Sequence, residues 1–150
     1  MIQVEDSPLQ TYIIFEIATT TYAIATSLVR QMEMIENITP VPNTPVFVEG
    51  VVFSRGQVIP AINLRLRFGL EKIPYNSATR LIVTQIGNRI CGLIADTARE
   101  FISIRDSDIQ PPPETIKEGT NQYISGIVFL KNRTLLVVDP EQIINPQNTT

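Results

Sequence analysis

Histidine is absent from the 150 residues, cysteine occurs once, and tryptophan does not occur. The first two absences remove a large block of enzyme chemistry. Zinc sites draw on His and Cys, and Ser or Cys nucleophiles are ordinarily activated by a His base. Cys91 alone supports neither, and in an apolar run beside Gly92 it reads as a small buried hydrophobe. One cysteine also leaves no internal disulfide, which suits a reducing cytosol. Carboxylate-only catalysis and Ca²⁺ or Mg²⁺ binding stay open, since 15 Asp and Glu are present. Yet no EF-hand loop and no G-x-x-x-x-G-K-[ST] phosphate cradle appears. No catalytic residue, metal ligand or cofactor is therefore assigned.

Aromatic residues are scarce at 7%, and the 12 Lys and Arg are scattered in a chain of net charge −3. Nucleic-acid binders concentrate cations and interleave them with aromatics, so nucleic acid is not expected as a partner. No apolar run approaches the roughly 18–20 residues that span a bilayer, so no membrane insertion is expected. Met1–Asp6 lacks the basic start and apolar run of a secretory signal, which points to the cytoplasm. The Asn-x-Thr triplets at Asn37, Asn132 and Asn148 then read as coincidence.

What is present is 43% hydrophobic material in short bursts, enough for one domain or two small ones with a shared core. Apolar, β-branched segments at 12–17, 22–25, 81–86, 90–95, 123–130 and 134–138 are bounded by Gly, Asn, Pro or Asp and predict strands. Residues 27–34 suggest one or two helical turns. Pro140–Ile144 predicts a terminal helix, with Asp139 as N-cap and Pro140 at its first position.

The second half echoes the first. Gly50-Val51-Val52-Phe53 returns 76 residues later as Gly126-Ile127-Val128-Phe129, and Ile59 and Ile62-Asn63 meet Leu135 and Val138-Asp139 in the same register. Upstream, Tyr12-Ile13-Ile14 matches Leu81-Ile82-Val83, and Ile38-Thr39-Pro40-Val41-Pro42 echoes Ile109-Gln110-Pro111-Pro112-Pro113. The proline run at 111–113 thus reads as a rigid loop in preference to an SH3 ligand. The expectation is one domain of two small β-units, about 12–70 and 80–144, sharing a core and leaving a groove suited to a partner helix.

The stretch from Val48 to Arg65, with Arg55-Gly56 at a turn and Val58-Ile59-Pro60-Ala61-Ile62-Asn63-Leu64-Arg65 returning, resembles the signature hairpin of CheW-like domains. Four further blocks fit in order: Phe15-Glu16-Ile17 with Tyr22-Ala23-Ile24, residues 38–45, Gly92-Leu93-Ile94-Ala95-Asp96, and Tyr123-Ile124-Ser125-Gly126. The resemblance covers about residues 12–145. It implies a mostly β fold of two packed five-stranded SH3-like barrels with short helices. It also implies a non-catalytic adaptor in bacterial chemotaxis, one that couples the cytoplasmic tip of methyl-accepting receptors to the regulatory domain of a CheA-type histidine kinase. The place of action would be the cytoplasm, at receptor arrays under the inner membrane.

By position, the resemblance assigns receptor binding to Val29, Gln31, Gly50 and Arg55. An Arg at a tight turn presents a planar five-donor group to a carboxylate or carbonyl. Kinase binding falls on Gly92, Ala98 and Gly126. Unaided by the family, Val29 reads as core and Gly50 as a strand glycine needed for backbone shape. Phe53-Ser54 before the turn, Gln31 and Asn63 depart from the residues common in relatives, which opens a related array controlling twitching or another output. A more distant alternative is a ligand-binding barrel or a carboxylate enzyme, which would need convergent acids such as Glu16 and Asp96.

Overall fold

A computed structural model describes residues 7–114 and 122–145. The Met1–Asp6 segment and the Asn148 triplet lie outside the described residues. Among the described residues, ten strands and two short α-helices follow one another: β1 (Leu9–Ile17), β2 (Thr20–Ala25), β3 (Val29–Met34), β4 (Val48–Ser54), β5 (Gln57–Asn63), α1 (Leu64–Arg67), β6 (Arg80–Ile86), β7 (Arg89–Ala95), β8 (Thr97–Arg105), β9 (Ile124–Leu130), β10 (Arg133–Val138) and α2 (Pro140–Ile144). The strands form two five-stranded sheets, ordered β8-β1-β2-β10-β9 and β3-β6-β7-β5-β4. Isolated bridges bring the segments beyond β3 and β8 onto the far strands, Thr39 to Val51 and Gln110 to Ile127. These bridges curl each sheet into a barrel.

The two sheet orders are the same once β1–β5 is matched to β6–β10. The internal repeat is therefore real, but the repeats are not the barrels. One barrel is the continuous run β3–β7, here the middle barrel. The end barrel combines β1 and β2 with β8, β9 and β10. Each repeat lends its first hairpin to the other. Units of 12–70 and 80–144 thus describe similarity of sequence and not the pairing of strands, which is non-local.

Residues in the shared centre are buried on both sides of a strand, and this explains the unbroken apolar runs. On β1, Tyr12 and Ile14 face the interior of the end barrel while Ile13, Phe15 and Ile17 face the middle barrel. On β6, Leu81 and Val83 fill the middle barrel, and Ile82 joins the shared core. Among the described residues that shared core holds 16 buried side chains, against 7 and 6 inside the barrels. At about 1.5–3 kcal/mol per buried large apolar side chain, the greater part of the apolar stabilisation lies between the barrels.

The expected helix over 27–34 is a single 3-10 turn, Thr26–Leu28, followed by strand β3. The terminal helix α2 stands as expected: Asp139 Oδ1 accepts from the N–H of Glu141 at 3.0 Å, with Pro140 in the first turn. Asn63 caps α1 in the same way, its Oδ1 accepting from the N–H of Leu66 at 3.2 Å. The caps belong to equivalent positions, and so do two backbone bonds of 2.8 Å, from Asn63 to Phe47 and from Asp139 to Tyr123.

Between those two equivalent aromatics lies Arg67, which is 6% exposed. Its guanidinium carbon is 4.0 Å from the Phe47 ring centre and 4.9 Å from that of Tyr123. It donates to the carbonyls of Ile143, Gln142 and Asn145 at 2.8, 3.3 and 2.9 Å, satisfying the open end of α2. Desolvation lowers its pKa. A ladder of rings, Phe15, Tyr22, Phe68 and Tyr123, runs alongside with centres 5.3–5.5 Å apart.

Candidate functional site

The β4–β5 hairpin closes with two residues, Arg55 and Gly56, between the paired Ser54 and Gln57. Both have positive φ, 49° and 81°. This is the handedness that a two-residue hairpin requires, but the first position favours Asn, Asp or Gly. An Arg held there costs of order 1–3 kcal/mol in backbone strain, which elsewhere in proteins accompanies function. Arg55 is exposed, and its side chain makes no hydrogen bond or ion pair to a described residue.

Around it lies a polar mouth at the end of the middle barrel. Arg30 occupies a bulge in β3, where pairing with β6 skips from Val29 to Gln31. Its Nη1 donates to Gln57 Oε1 at 3.2 Å. Gln31 Nε2 donates to Ser54 Oγ at 3.1 Å and also to Glu33, which accepts from the Ser54 hydroxyl as well. Arg30, Gln31, Ser54, Arg55 and Gln57, with Ile59 and Val83 at the floor, line a cavity of about 190 Å³. On the outer face of the same hairpin Phe53 and Val58 stand opposite each other, 75% and 64% exposed. An exposed aromatic beside a strained cation offers both an apolar anchor and directed hydrogen-bond donors.

Of the four positions read as receptor-binding, the structure brings Gln31 and Arg55 together. Val29 is half-buried and packs on the shared core. Gly50 is buried at a bulge in β4, roughly 13 Å up the strand from Ser54. Its φ is +145°, and an added Cβ would lie 2.1 Å from the carbonyl oxygen of Thr39. Gly50 thus permits the bridge that closes the barrel.

The three positions read as kinase-binding are all buried, contrary to a direct surface role. Gly92 lies inside β7, where a Cβ would meet Leu81 Cδ1 at 2.6 Å. Ala98 is 5% exposed in the shared core. Gly126 is the equivalent of Gly50, and a Cβ there would meet Ile109 Cγ2 at 2.4 Å. Each has a packing reason for being small.

Other candidates also resolve. Cys91 is buried, and desolvation pushes its thiol up to about 12. Asp96 is taken up structurally, accepting from Arg65 Nη2 at 2.7 Å and from the N–H of Ala18 at 2.8 Å. Glu16 accepts from the Thr97 hydroxyl at 3.0 Å. Asp96 is thus engaged in an ion pair, while Glu16 stands exposed on the outer face of β1. Sequence reasoning missed Arg30, Glu33, Gln57 and the Phe53–Val58 pair. The last was readable as outward positions of an alternating hairpin, whereas Arg30 is aimed by a bulge that leaves no signal in composition.

Fold and site together define a class: a twin-barrel protein with a docking mouth, in which shape and exposed side chains, not bond-making groups, are on offer. Residues 11–147 match the CheW-like domain. The chain belongs to this family, one of chemotaxis scaffolds and not of enzymes. It is 35% identical to chemotaxis protein CheW of Helicobacter pylori over 95% of this chain and 86% of that protein. With chemotaxis protein CheW of Klebsiella aerogenes it shares 30% identity over 92% of this chain and 83% of the other. The crystal structure of scaffolding protein TtCheW from Thermoanaerobacter tengcongensis superposes with a TM-score of 0.86 at 27% identity, covering 95% of this chain and 97% of that one. Protein FrzA of Myxococcus xanthus matches over a shorter span, 33% identical over 61% of this chain and 56% of its own length.

Proposed function

We propose that this protein couples the cytoplasmic tip of a methyl-accepting chemoreceptor to the regulatory domain of a CheA-type histidine kinase, in the cytoplasm beneath a receptor array. The observation that carries the reading is Arg55, displayed on a strained turn without an internal partner, in a chain whose relatives are named as chemotaxis proteins and a scaffold. Gln31 and Arg55 contact the receptor directly. Val29 and Gly50 shape the surface behind them, the one by packing and the other by allowing barrel closure. Gly92, Ala98 and Gly126 act on the kinase side in the same indirect way, by setting the backbone course of β7, β8 and β9. A second reading, an array with a different output such as twitching, draws on the partial match to FrzA alone.

The test is a three-component pull-down with purified receptor tip and kinase regulatory domain from the same organism. The expected result is a complex in which this chain is required to retain both. Retention of neither partner at micromolar concentrations would remove the reading.

A further inference from the structure

Apolar burial holds the two barrels together, but it has no preferred direction. Helix α1 adds direction by sending both of its arginines across the seam. Arg67 reaches the carbonyls that end α2. Arg65 reaches Asp96, the single residue between β7 of the middle barrel and β8 of the end barrel. The pair is bidentate, with Nε 3.0 and 3.1 Å from the two carboxylate oxygens and Nη2 2.7 Å from Oδ2. Asp96 passes the contact on. Its Oδ2 accepts from the N–H of Ala18 in the β1–β2 turn at 2.8 Å, and its own N–H donates to the carbonyl of Glu16 at 3.1 Å.

The duplicated backbone supplies the control. Ala18 corresponds to Gly87, Asp96 to Ser27 and Arg65 to Glu141. Both turns take positive φ, 57° at Ala18 and 60° at Gly87, but only the glycine does so freely. Ser27 and Glu141 are exposed, and among the described residues no hydrogen bond joins their side chains to each other or to Gly87. The fold therefore does without this link at the twin position. Where it is present, a strained alanine is held by a carboxylate that a cation of the other barrel holds in turn. The paired side chains are 17% and 20% exposed, so solvent screens them less than it screens a surface pair. A planar fork closed on a carboxylate fixes angle as well as distance.

We infer that Arg65 and Asp96 are positioning residues of the adaptor: they brace α1 against the β1–β2 turn and fix the angle between the barrels, so that two protein partners are presented at one relative geometry. This rests on the adaptor reading, in which the receptor meets the middle barrel and the kinase side runs along β7 to β9, and adds what holds those contacts in register. Partners held at one angle engage together at a high effective concentration. A loose seam spreads that concentration over orientations that do not fit.

Spin labels on exposed turns of the two barrels, at Asn88→Cys and Asn132→Cys in a full chain carrying Cys91→Ala, read the angle as a distance distribution by double electron–electron resonance. Without further change the labelled chain should give one narrow distance, and Arg65→Gln and Asp96→Asn should each broaden it about twofold. Asp96→Asn keeps an oxygen for the Ala18 N–H, so both changes cut the same link and leave the turn its acceptor. Arg65→Lys, which keeps a cation for Asp96, should restore most of the narrowness. Glu100→Gln, which cuts an ion pair within the end barrel, should leave the distance as it was. In the pull-down, Arg65→Gln should bind receptor tip or kinase domain singly within about twofold of the wild type, but retain the two together about tenfold less well. A distribution no broader in either variant overturns the inference, and so does broadening with undiminished joint retention. Equal losses of single and joint binding would also overturn it, since they mark a merely structural role. The two readings fail separately. A wild type that retains neither partner removes the adaptor reading, whatever the distances; joint retention equal in wild type and Arg65→Gln leaves the adaptor reading standing and removes this one.

Discussion

The middle and end barrels share one strand order, and they differ both in the packing of a few buried positions, such as Phe15 against Thr84, and at the rim. Elsewhere inside, equivalent positions carry equivalent apolar side chains, such as Ile59 and Leu135 or Ile62 and Val138. At the hairpin tips, each barrel keeps an exposed Phe, Phe53 at 75% and Phe129 at 62%. The turns then part company. Arg55 and Gly56 both adopt positive φ, while Lys131 and Asn132 do not. The asymmetry of the turns runs both ways, for Arg55 is held at positive φ in the middle barrel and Ala18, at 57°, in the end barrel where the middle one has Gly87. A duplicated backbone shows what the fold requires, and the side chains that break the duplication show where selection for something else has acted.

The comparison can be broken hardest at the closure points. Gly50→Ala places a methyl against backbone at an inaccessible φ, with an expected cost of about 4 kcal/mol or more. Gly126→Ala meets Ile109 Cγ2 at 2.4 Å and the Gln110 carbonyl oxygen at 3.4 Å, but without a positive φ to strain it, and should cost about 1–3 kcal/mol. Urea denaturation of the two variants side by side measures the asymmetry; equal losses would mean that the closures are equally tight.

Next comes Arg67, the contact between the equivalent aromatics. Arg67→Met strands three carbonyls at the end of α2 and is expected to cost about 3 kcal/mol. Both barrels should lose that stability together, as one transition followed by tyrosine fluorescence and by circular dichroism. Separate transitions would show that the shared core does not join them.

Alkaline pH should bear on the middle barrel. Burial raises Cys91 from 9.0 to about 12 and Tyr75 from 10.0 to about 12, and both groups belong to that side. Their neutral forms favour the fold fully below pH 9. Above it the unfolded chain ionises first, so the contribution is lost as pH rises from 9 to 12. Melting temperature should fall over that window, and less so in Cys91→Ala/Tyr75→Phe once the neutral-pH loss of each variant is subtracted.

Relieving the turn should have a smaller and opposite effect on stability. Arg55→Asn tolerates positive φ and should gain about 1 kcal/mol while weakening receptor-tip binding about tenfold. A loss of stability would mean that Arg55 is not strained. Least of all, Glu100→Gln breaks an ion pair whose side chains are 46% and 38% exposed, and should shift stability by under about 1 kcal/mol.

Much of this architecture was legible in the chain, for reasons that are themselves physical. β1, β6 and β7 announce themselves because both faces are buried, so polar residues are excluded from the run. α2 is announced by Asp139-Pro140. The two equivalent strands β3 and β8 escaped notice because their exposed faces carry Arg30, Glu33, Arg99 and Glu100, which dilute the apolar signal. The exchange of hairpins was not readable at all, since similarity reveals a repeat while sheet pairing joins residues some eighty positions apart. At the site, the Arg-Gly turn stood out. Gly50, Gly92 and Gly126 were placed at partner surfaces, but a glycine in a sequence does not say whether it makes room for a partner or for its own neighbours.

The hairpin exchange also sets an order of events during synthesis. β1 and β2 leave the ribosome first, but β8, their first partner, follows more than seventy residues later. At typical elongation rates the apolar face from Tyr12 to Ile17 therefore waits on the order of 4–15 s. The middle barrel, by contrast, has all five strands in hand once Ala95 has emerged. It can serve as the template onto which the first hairpin settles, and a nascent chain arrested near residue 95 would expose that hairpin as an adhesive edge for chaperones or for another such chain.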